Sequence, residues 1–449
     1  MRFKYILSAF LPLMLTGCGL YSKYEGQTVS YDIHELIDND STISPLCDMS
    51  WRELFTDSCL QSWIVTGLER NTDLRKAQLK VEEAEASLYA SRLAFLPSVS
   101  LNADANAGVN TSDRFSIGPS ASWEIDIFGK QRNLKAGAEA SFHASEAYRR
   151  AVQTSLIATV ANSFYTLLML DEQLAISERT LKNWDENIRV LQALKRAGRT
   201  NEAAVLQARA NRMKVENSTL TLRHQIVEQE NAVRALLLNP GISLRRSSLK
   251  TQDFPDTMVS GVPLAILSNR PDVRAAELDL QKAFYDINVA RAAFYPSLVL
   301  SGNLGWSASS GTAISNPVSF IANAIGSLSA PLFNRGQNKS RLRIARAEYE
   351  IASLDFQQKL IDAGMEVNDA LSSWQTAKER LILDKKQIVA LKGAVHNTRL
   401  LMRNSTTNYL EVLTAQQRLL EAELTEVNDR FDEIQAVITL YRSLGGGAE

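Results

Sequence analysis

The spacing of apolar residues changes abruptly in the second half of the chain. From Val273 to Tyr295 apolar residues recur with helical spacing, and the segment contains no Gly or Pro. Pro296 ends this pattern, because a proline cannot continue the hydrogen-bond ladder of a helix. Beyond Pro296 apolar and polar residues alternate, which predicts a strand with one apolar and one polar face. The apolar face contains Leu298, Leu300, Leu304 and Trp306.

The same helix-to-strand pattern occurs 199 residues earlier in the chain. The positions of the first copy that match the second are Arg75, Ala77, Leu79, Ala84, Arg92, Ala94, Phe95, Pro97, Ser98 and Leu101. This duplication predicts two tandem structural repeats, residues 51–250 and 251–449, built into one structure.

Four strands are predicted, at about residues 97–109, 115–127, 297–308 and 319–333. Each has at least the ~9–11 residues that a tilted strand needs to cross a bilayer. The polar face of the first two strands contains acidic and amide side chains that we expect to line a pore. These side chains belong to Asp104, Asn106, Glu124 and Asp126.

Four strands do not close a membrane barrel by themselves. Small single-chain barrels need about eight strands, and an open sheet edge in lipid leaves backbone groups without hydrogen-bond partners. No run of about 18 apolar residues follows residue 20, so a membrane crossing would have to use strands. We therefore expect several copies of the chain to complete one barrel.

Two pairs of long helices are predicted, 131–197 with 201–238 and 337–403 with 408–444. From Leu360 to Met402 an apolar residue recurs at every seventh position, which predicts paired, supercoiled helices. The two returning helices carry sevenfold seams that align at an offset of 207 residues. These seams are Leu206, Met213, Leu220 and Val227 in the first half, and Leu413, Leu420, Val427 and Ile434 in the second.

The turns between the paired helices also resemble each other at the same offset. They interrupt helices that otherwise have no break, so they are candidate contact points for another protein. The residues concerned are Arg196, Gly198, Thr200 and Asn201 in the first turn, and Arg403, Ser405, Thr407 and Asn408 in the second.

The N-terminus has the features of a secretory signal, residues 1–17. Basic residues precede an apolar run, and Leu15-Thr16-Gly17-Cys18 resembles a bacterial lipobox, which predicts a lipid on Cys18. The alternative is an ordinary signal peptide. A polar leader, residues 18–50, would follow. By resemblance to lipoprotein sorting rules, Gly19 after the cysteine favours the outer membrane.

The remaining chemistry of the chain is sparse. Cys47 and Cys59 either form a disulfide in an oxidising compartment or remain separate thiols. The formal charge of −1 gives no indication of nucleic-acid binding. The four histidines are isolated, and no nucleophile elbow, P-loop or dinucleotide fingerprint occurs. We therefore predict neither an enzyme nor a metal site nor a bound cofactor.

Several segments resemble the TolC-like outer-membrane factor family, in order from Trp51 to Gly447. They are LPSVSL, WEIDIFGKQR, NRPDVRAAE, ARAAFYPSLVLSG, NYLEVLTAQQ and LYRSLGGG. The resemblance implies an α+β membrane protein that forms a homotrimer. Each chain would give four strands to a 12-stranded outer-membrane β-barrel, continued by a 12-helix coiled-coil periplasmic tunnel.

The resemblance also implies a function, a location and partners. The protein would be the outer-membrane exit duct of a tripartite efflux system, passively conducting small toxic compounds. A resistance-nodulation-division pump in the inner membrane and a periplasmic membrane-fusion adaptor would deliver them. The protein would be lipid-anchored, would span the outer membrane with strands, and would have a large periplasmic part. The alternatives are a type I protein secretion duct and a structural periplasmic coiled-coil lipoprotein, which would not explain the two-faced strands.

Two further sites follow from the resemblance. The family closes the periplasmic end of its tunnel with inner helices, and the matching residues here are Leu410, Glu411 and Thr414. The adaptor would dock on the helix turns that contain Gly198 and Ser405.

Overall fold

The computed structural model describes residues 24, 26, 49–108, 111–254, 270–309, 319–403 and 409–446. The signal peptide and most of the leader, with Cys18 and Cys47, therefore lie outside the described residues. So do Ser405, Thr407 and Asn408 of the second turn, and the side chains of Asn106 and Arg403.

The described chain is mostly helical and contains one four-stranded sheet. Among the described residues, three helices precede the first strand: α1 (Trp51–Leu54), α2 (Ser58–Arg70) and α3 (Thr72–Leu93). The first half continues with β1 (Ser98–Gly108), β2 (Thr111–Ile125), α4 (Lys130–Arg196) and α5 (Glu202–Leu236). The second half contains α6 (Pro271–Ala292), β3 (Ser297–Ser309), β4 (Ser319–Ser329), α7 (Gln337–Arg403) and α8 (Tyr409–Ser443).

Two compact units divide the chain differently from the sequence halves. The described residues of one unit between Gln78 and Lys359 are 78–108, 111–148, 272–309 and 319–359, which include the whole sheet. The other contains residues 49–77, 149–254, 270–271, 360–403 and 409–446. Each unit thus combines segments from both predicted repeats.

The sheet is antiparallel throughout, in the order β1-β2-β3-β4. Its register keeps the two faces distinct, because paired residues of neighbouring strands lie on the same face. One polar row runs Ser100, Ser120, Asn303 and Asn323, and one apolar row runs Val99, Ala121, Gly302 and Ala324. The prediction of four strands is confirmed, but the alternation is incomplete in β4, where Ile321 and Ile325 lie on the same face as Asn323.

Three predicted strand bounds are wrong. β2 begins at Thr111 rather than near residue 115, and the ends of β2 and β4 differ for local reasons. β2 ends at Ile125, because the chain then turns into α4. β4 ends at Ser329, where it pairs with Ser297, the first residue of β3. Beyond this pair, Pro296 and Pro331 have no N–H with which to extend the ladder. Leu332 and Phe333 are consequently almost fully exposed.

The corresponding long helices have equal lengths in the two halves. Both α4 and α7 contain 67 residues, and both α5 and α8 contain 35. The first residues of each pair lie 207 positions apart, as do Gly129 and Gly336, which precede α4 and α7 with φ of 72° and 79°. No helix among the described residues is both long enough and apolar enough to cross a membrane.

The sevenfold seams are not all covered within one chain. The α7 seam is buried from Leu360 to Val395, and the α8 seam is buried at Leu413, Val427 and Ile434. The corresponding α5 seam, which begins at Leu206, is exposed. α5 does pair with α4, through the buried residues Val205, Ala208 and Val215, but this pairing leaves the stripe that begins at Leu206 uncovered within one chain.

Candidate functional site

The turn between α4 and α5 ends α4 with a regular pattern of backbone hydrogen bonds. The Gly198 N–H donates to the Lys195 carbonyl at 3.0 Å, and the Arg199 N–H donates to the Leu194 carbonyl at 2.9 Å. This pair of bonds forms a Schellman motif, which requires a left-handed residue where Gly198 has φ of 69°. An added Cβ at Gly198 would meet nothing within 4 Å, so the turn is open to solvent on that side.

The next helix starts immediately after this motif. The Asn201 side chain caps α5 by accepting from the Ala204 N–H at 3.1 Å. Lys195 forms an ion pair with Glu202 across the turn, and this bond lowers the pKa of Glu202. Among the predicted tip residues, Arg196 and Asn201 are exposed and Thr200 is half-buried. The first tip is therefore a rigid, polar projection.

The predicted gate residues share one exposed face at the start of α8. Leu410, Glu411 and Thr414 are exposed, whereas Val412 and Leu413 are buried. The Thr414 hydroxyl donates back to the Leu410 carbonyl at 2.9 Å, which leaves its methyl group on the surface of the helix. The structure therefore places these three residues together, as the spacing predicted.

One apolar cluster joins the end of α4, the start of α5 and the start of α8. It contains Trp184 and Leu191 of α4, Val205, Ala208 and Val215 of α5, and Tyr409 and Leu413 of α8. Burial raises the pKa of the Tyr409 hydroxyl, which has no hydrogen-bond partner among the described residues. The first residue of α8 is thus anchored in this cluster, next to the exposed Leu410.

The acidic residues predicted to line the pore have different surroundings. Asp104 is exposed on the polar face of β1. Glu124, near the end of β2, accepts from the Lys130 ammonium group at 3.0 Å. The prediction for Asp126 needs correction, because this residue lies beyond β2 and its carboxylate accepts from the backbone N–H groups of Gln131 and Arg132, each at 3.0 Å.

Asp126 is therefore a helix-terminus residue in this structure. Its carboxylate also forms an ion pair with the Arg132 guanidinium at 3.1 Å, and only 8% of its side chain is exposed. A negative charge at the start of a helix is stabilised by the free N–H groups and the helix dipole. These bonds connect the end of β2 to the start of α4.

Sequence reasoning missed a buried acidic pair between α7 and α8. Asp384 and Asp429 are both buried, and their carboxyl groups lie within hydrogen-bonding reach of each other. Burial, then the bond to Asp429 and its charge, raises the pKa of Asp384 to about 6. Glu426 adds further repulsion, and Arg380, 3.7 Å from Asp429, opposes it.

The heptad pattern contains a signal that could have identified Asp384. The first three residues that lie three positions after the α7 seam are small and buried: Ala363, Ala370 and Ala377. Asp384 takes the next such position, so a charged group stands where the pattern requires a core residue.

A groove of about 540 Å³ lies between α7 and α8. Its lining includes the acids Glu366, Asp369 and Asp432, together with Ser372, Ser373, Thr376 and Thr439. Burial and the nearby Asp429 raise the pKa of Asp432. No three His, Cys, Asp or Glu side chains in the described part of the chain are placed to hold a metal ion. Cys59 is a half-buried free thiol. Cys47, the other cysteine of the possible disulfide, lies outside the described residues.

We expect the acidic pair to make stability fall as pH rises. The folded chain holds a proton on Asp384 up to about pH 6, whereas an unfolded aspartate loses it near pH 4. The free energy of unfolding should therefore decrease across this window, by up to about 3 kcal/mol per chain. Melting temperatures of the purified protein in detergent at pH 4.5, 6 and 7.5 would measure this decrease.

In Asp384→Asn the pH dependence should be weaker, because asparagine keeps a hydrogen bond but does not titrate. Asp369→Asn is the matched control, since Asp369 is an exposed aspartate on the same helix. An unchanged pH dependence in Asp384→Asn would contradict the assignment.

Known relatives match nearly the whole chain. The cation efflux system protein CusC of Escherichia coli K12 is 28% identical over 456 residues, covering 98% of this chain and 99% of CusC. The probable outer membrane lipoprotein SilC of Salmonella typhimurium is 28% identical over 453 residues and 98% of each chain. The toluene efflux pump outer membrane protein TtgC of Pseudomonas putida is 27% identical, covering 99% of this chain and 96% of TtgC.

Solved structures match the fold as well. A crystal structure of CusC superposes with a TM-score of 0.86 at 27% identity, covering 96% of this chain and 100% of that one. The open state of the Neisseria gonorrhoeae MtrE outer membrane channel gives a TM-score of 0.85 at 26% identity, covering 96% and 98%. The sequence profile described as outer membrane efflux protein matches residues 63–237 and 262–446. The chain belongs to the outer membrane efflux protein family and serves as an outer-membrane exit duct for efflux.

Proposed function

We propose that three copies of this chain form the exit duct of a tripartite efflux system. The observation that carries this proposal is the four-stranded sheet, in which β1 and β4 each have one neighbouring strand. A sheet with two open edges is unstable in lipid, and three copies give the 12 strands that a closed barrel of this family would contain.

The helices support the same assembly. The equal lengths of α4 and α7, and of α5 and α8, are what two tandem structural repeats would produce. Four long helices per chain would give the 12 helices of a periplasmic tunnel. The chain itself is a conduit rather than an enzyme in this proposal.

The relatives' names support the substrate class and the partners. They include a cation efflux protein and a toluene efflux pump protein, which favours small toxic compounds over secreted proteins as cargo. A periplasmic membrane-fusion adaptor and an inner-membrane resistance-nodulation-division pump would deliver the cargo. Native mass measurement of the purified protein tests the assembly, and a monomer in mild detergent would contradict it.

The exposed face of Leu410, Glu411 and Thr414 is the proposed periplasmic gate. In a threefold tube, one copy of each residue from each chain would converge on the axis. The three Glu411 carboxylates would attract cations and repel one another, so apolar contacts such as those of Leu410 would hold the closed state.

We expect gate variants to change conduction in planar bilayers. Leu410→Ala should raise conductance because it widens the constriction, and Glu411→Gln should reduce cation preference a few-fold because three charges are removed. Glu421→Gln, an exposed glutamate farther along α8, is the matched control. If both gate variants conduct like the wild type, the constriction lies elsewhere.

The helix turns are the proposed adaptor-docking sites. The first turn is rigid because of its Schellman motif and the Asn201 cap, and its Gly198 faces open space. A partner protein can recognise a rigid polar projection by its shape and through hydrogen bonds. The second turn, with Arg403, Ser405, Thr407 and Asn408, would provide a similar site. A trimer would then have six docking sites.

Gly198→Trp should abolish efflux but leave the trimer intact, because the indole would project from the turn into the adaptor. Gly198→Asn is the control, since asparagine tolerates the left-handed conformation at modest cost. Drug susceptibility of a deletion strain carrying each variant measures export, and native mass measures assembly. Wild-type export by Gly198→Trp would remove the turn from the docking site.

Cys18 is the proposed lipid attachment site. The name of SilC as a probable outer membrane lipoprotein supports it. Cys18→Ser should lose the lipid yet still assemble, because the barrel would provide its own membrane affinity and a lipid only adds to it. Intact mass spectrometry checks this expectation, and a wild-type N-terminus that is uncleaved or unmodified would exclude lipidation.

A further inference from the structure

The two junctions between the sheet and the long helices differ in charge. Residues 124–140 lead from β2 into α4, and their counterparts 207 positions later, residues 331–347, lead from β4 into α7. The first junction contains three basic and three acidic residues, whereas the second contains five basic residues and no acidic one. The five basic residues of the second junction are all exposed: Arg335, Lys339, Arg341, Arg343 and Arg346.

The second junction has lost the acid that neutralises the first. In the first junction Arg132 forms an ion pair with Asp126 at 3.1 Å. The counterparts of these two residues are Lys339 and Phe333, so the basic residue is retained and an aromatic ring replaces the carboxylate. None of the five basic residues of the second junction forms an ion pair with a described residue. Basic residues at the start of a helix also oppose its dipole, so they do not stabilise α7.

Two apolar residues with almost no cover lie directly before these basic residues. Leu332 is 97% exposed and Phe333 is 87% exposed. They follow Leu328, which pairs with Leu298 in the last apolar row of the sheet. Exposed apolar and aromatic side chains next to basic ones are typical of a membrane interface, where the apolar groups meet acyl chains and the basic groups meet phosphates.

The place of the second junction in the outer membrane fits this chemistry. The strands span the membrane and the helices extend into the periplasm, so the helix end of the sheet lies at the periplasmic leaflet. The headgroup layer on each side of a bilayer is about 5–8 Å thick. Lys339 is the third residue of α7 and lies only about 5 Å along this helix. Arg335 and Lys339 are therefore at the depth of the phosphates.

We infer that the second junction binds an anionic phospholipid of the periplasmic leaflet. Arg335 and Lys339 hold its phosphate, and Leu332 and Phe333 contact its acyl chains. All four residues belong to one compact unit of one chain, so the site does not depend on how many copies assemble. The first junction does not bind such a lipid, because its own carboxylates already occupy its basic residues.

Native mass spectrometry of the delipidated full-length protein in detergent tests this site. Phosphatidylglycerol should bind each chain more tightly than phosphatidylcholine, which has no net charge. Lys339→Gln should lower the affinity for phosphatidylglycerol about fivefold, the effect of one basic residue near an anionic membrane surface. Arg132→Gln, at the equivalent position of the first junction, is the matched control and should leave this affinity unchanged. Asp126 keeps its two backbone hydrogen bonds in that variant.

Substitutions of Phe333 test the comparison between the two junctions. Phe333→Asp places a carboxylate where the first junction has Asp126, so it should pair with Lys339 and remove the preference for phosphatidylglycerol. Phe333→Asn has a side chain of the same size without the charge. It should weaken binding of both lipids but keep the preference between them.

Three results would overturn the inference. Equal affinity of the wild type for the two lipids would exclude an anionic headgroup site. Displacement of phosphatidylglycerol by millimolar inorganic phosphate would assign the basic residues to a free anion, since phosphate has no acyl chain to contact Leu332. Loss of assembly in Lys339→Gln, with unchanged lipid binding per chain, would assign this surface to a neighbouring copy. Each result leaves the role of the chain as an exit duct standing.

Discussion

The structure depends on one constraint, that backbone N–H and C=O groups in a bilayer must find partners within the protein. Within one chain, β2 and β3 meet this requirement on both sides, whereas β1 and β4 meet it on one side each. The two faces of the sheet are continuous across all three pairings, so its incompleteness lies at its edges alone. In the proposed assembly, other copies of the chain would cover these two edges.

The helices are incomplete for a different reason. Their backbone groups are satisfied internally, and what remains uncovered is apolar surface. Each large apolar side chain left in water forgoes about 1.5–3 kcal/mol of burial free energy. The α8 seam recovers this energy within the chain, but the α5 seam, from Leu206 to Val227, does not. Strand edges and helix stripes are thus left open together, and we infer that the same neighbouring copies cover both.

The sequence predicts the features that local chemistry determines. Pro97 and Pro296 set where the strands begin, and the absence of proline lets α4 and α7 continue for 67 residues. The ends of β2 and β4 were not predictable, because a strand ends where its partner strand ends. Asp126 continues the polar alternation of β2 in the sequence, but its carboxylate binds a helix terminus that only the folded chain brings near it.

Some features of the candidate site were likewise predictable from the sequence, and others were not. The spacing of Leu410, Glu411 and Thr414 was enough to place them on one face of a helix. The sequence spacing was not enough to predict that Asp384 is buried against Asp429, because this burial depends on how α7 and α8 pack against each other. Likewise, the corresponding seams of α5 and α8 differ in exposure, because α5 packs within the chain through Val205 and Ala208 and leaves the stripe that begins at Leu206 exposed. The sevenfold spacing thus identifies a contact surface. Whether the same chain or another copy covers that surface depends on the assembly.

The surroundings of Tyr409 indicate what holds the proposed gate closed. Residues on a helix rotate together, so a rotation of α8 that turns Leu410 away from the axis also moves Tyr409 and Leu413. These two side chains pack with Trp184 of α4 and Val205 of α5. Opening by such a rotation would expose them, at a cost of about 1.5–3 kcal/mol for each large side chain uncovered. The energy that keeps the gate closed would therefore come from the apolar cluster behind it, and the exposed gate residues would decide which solutes pass.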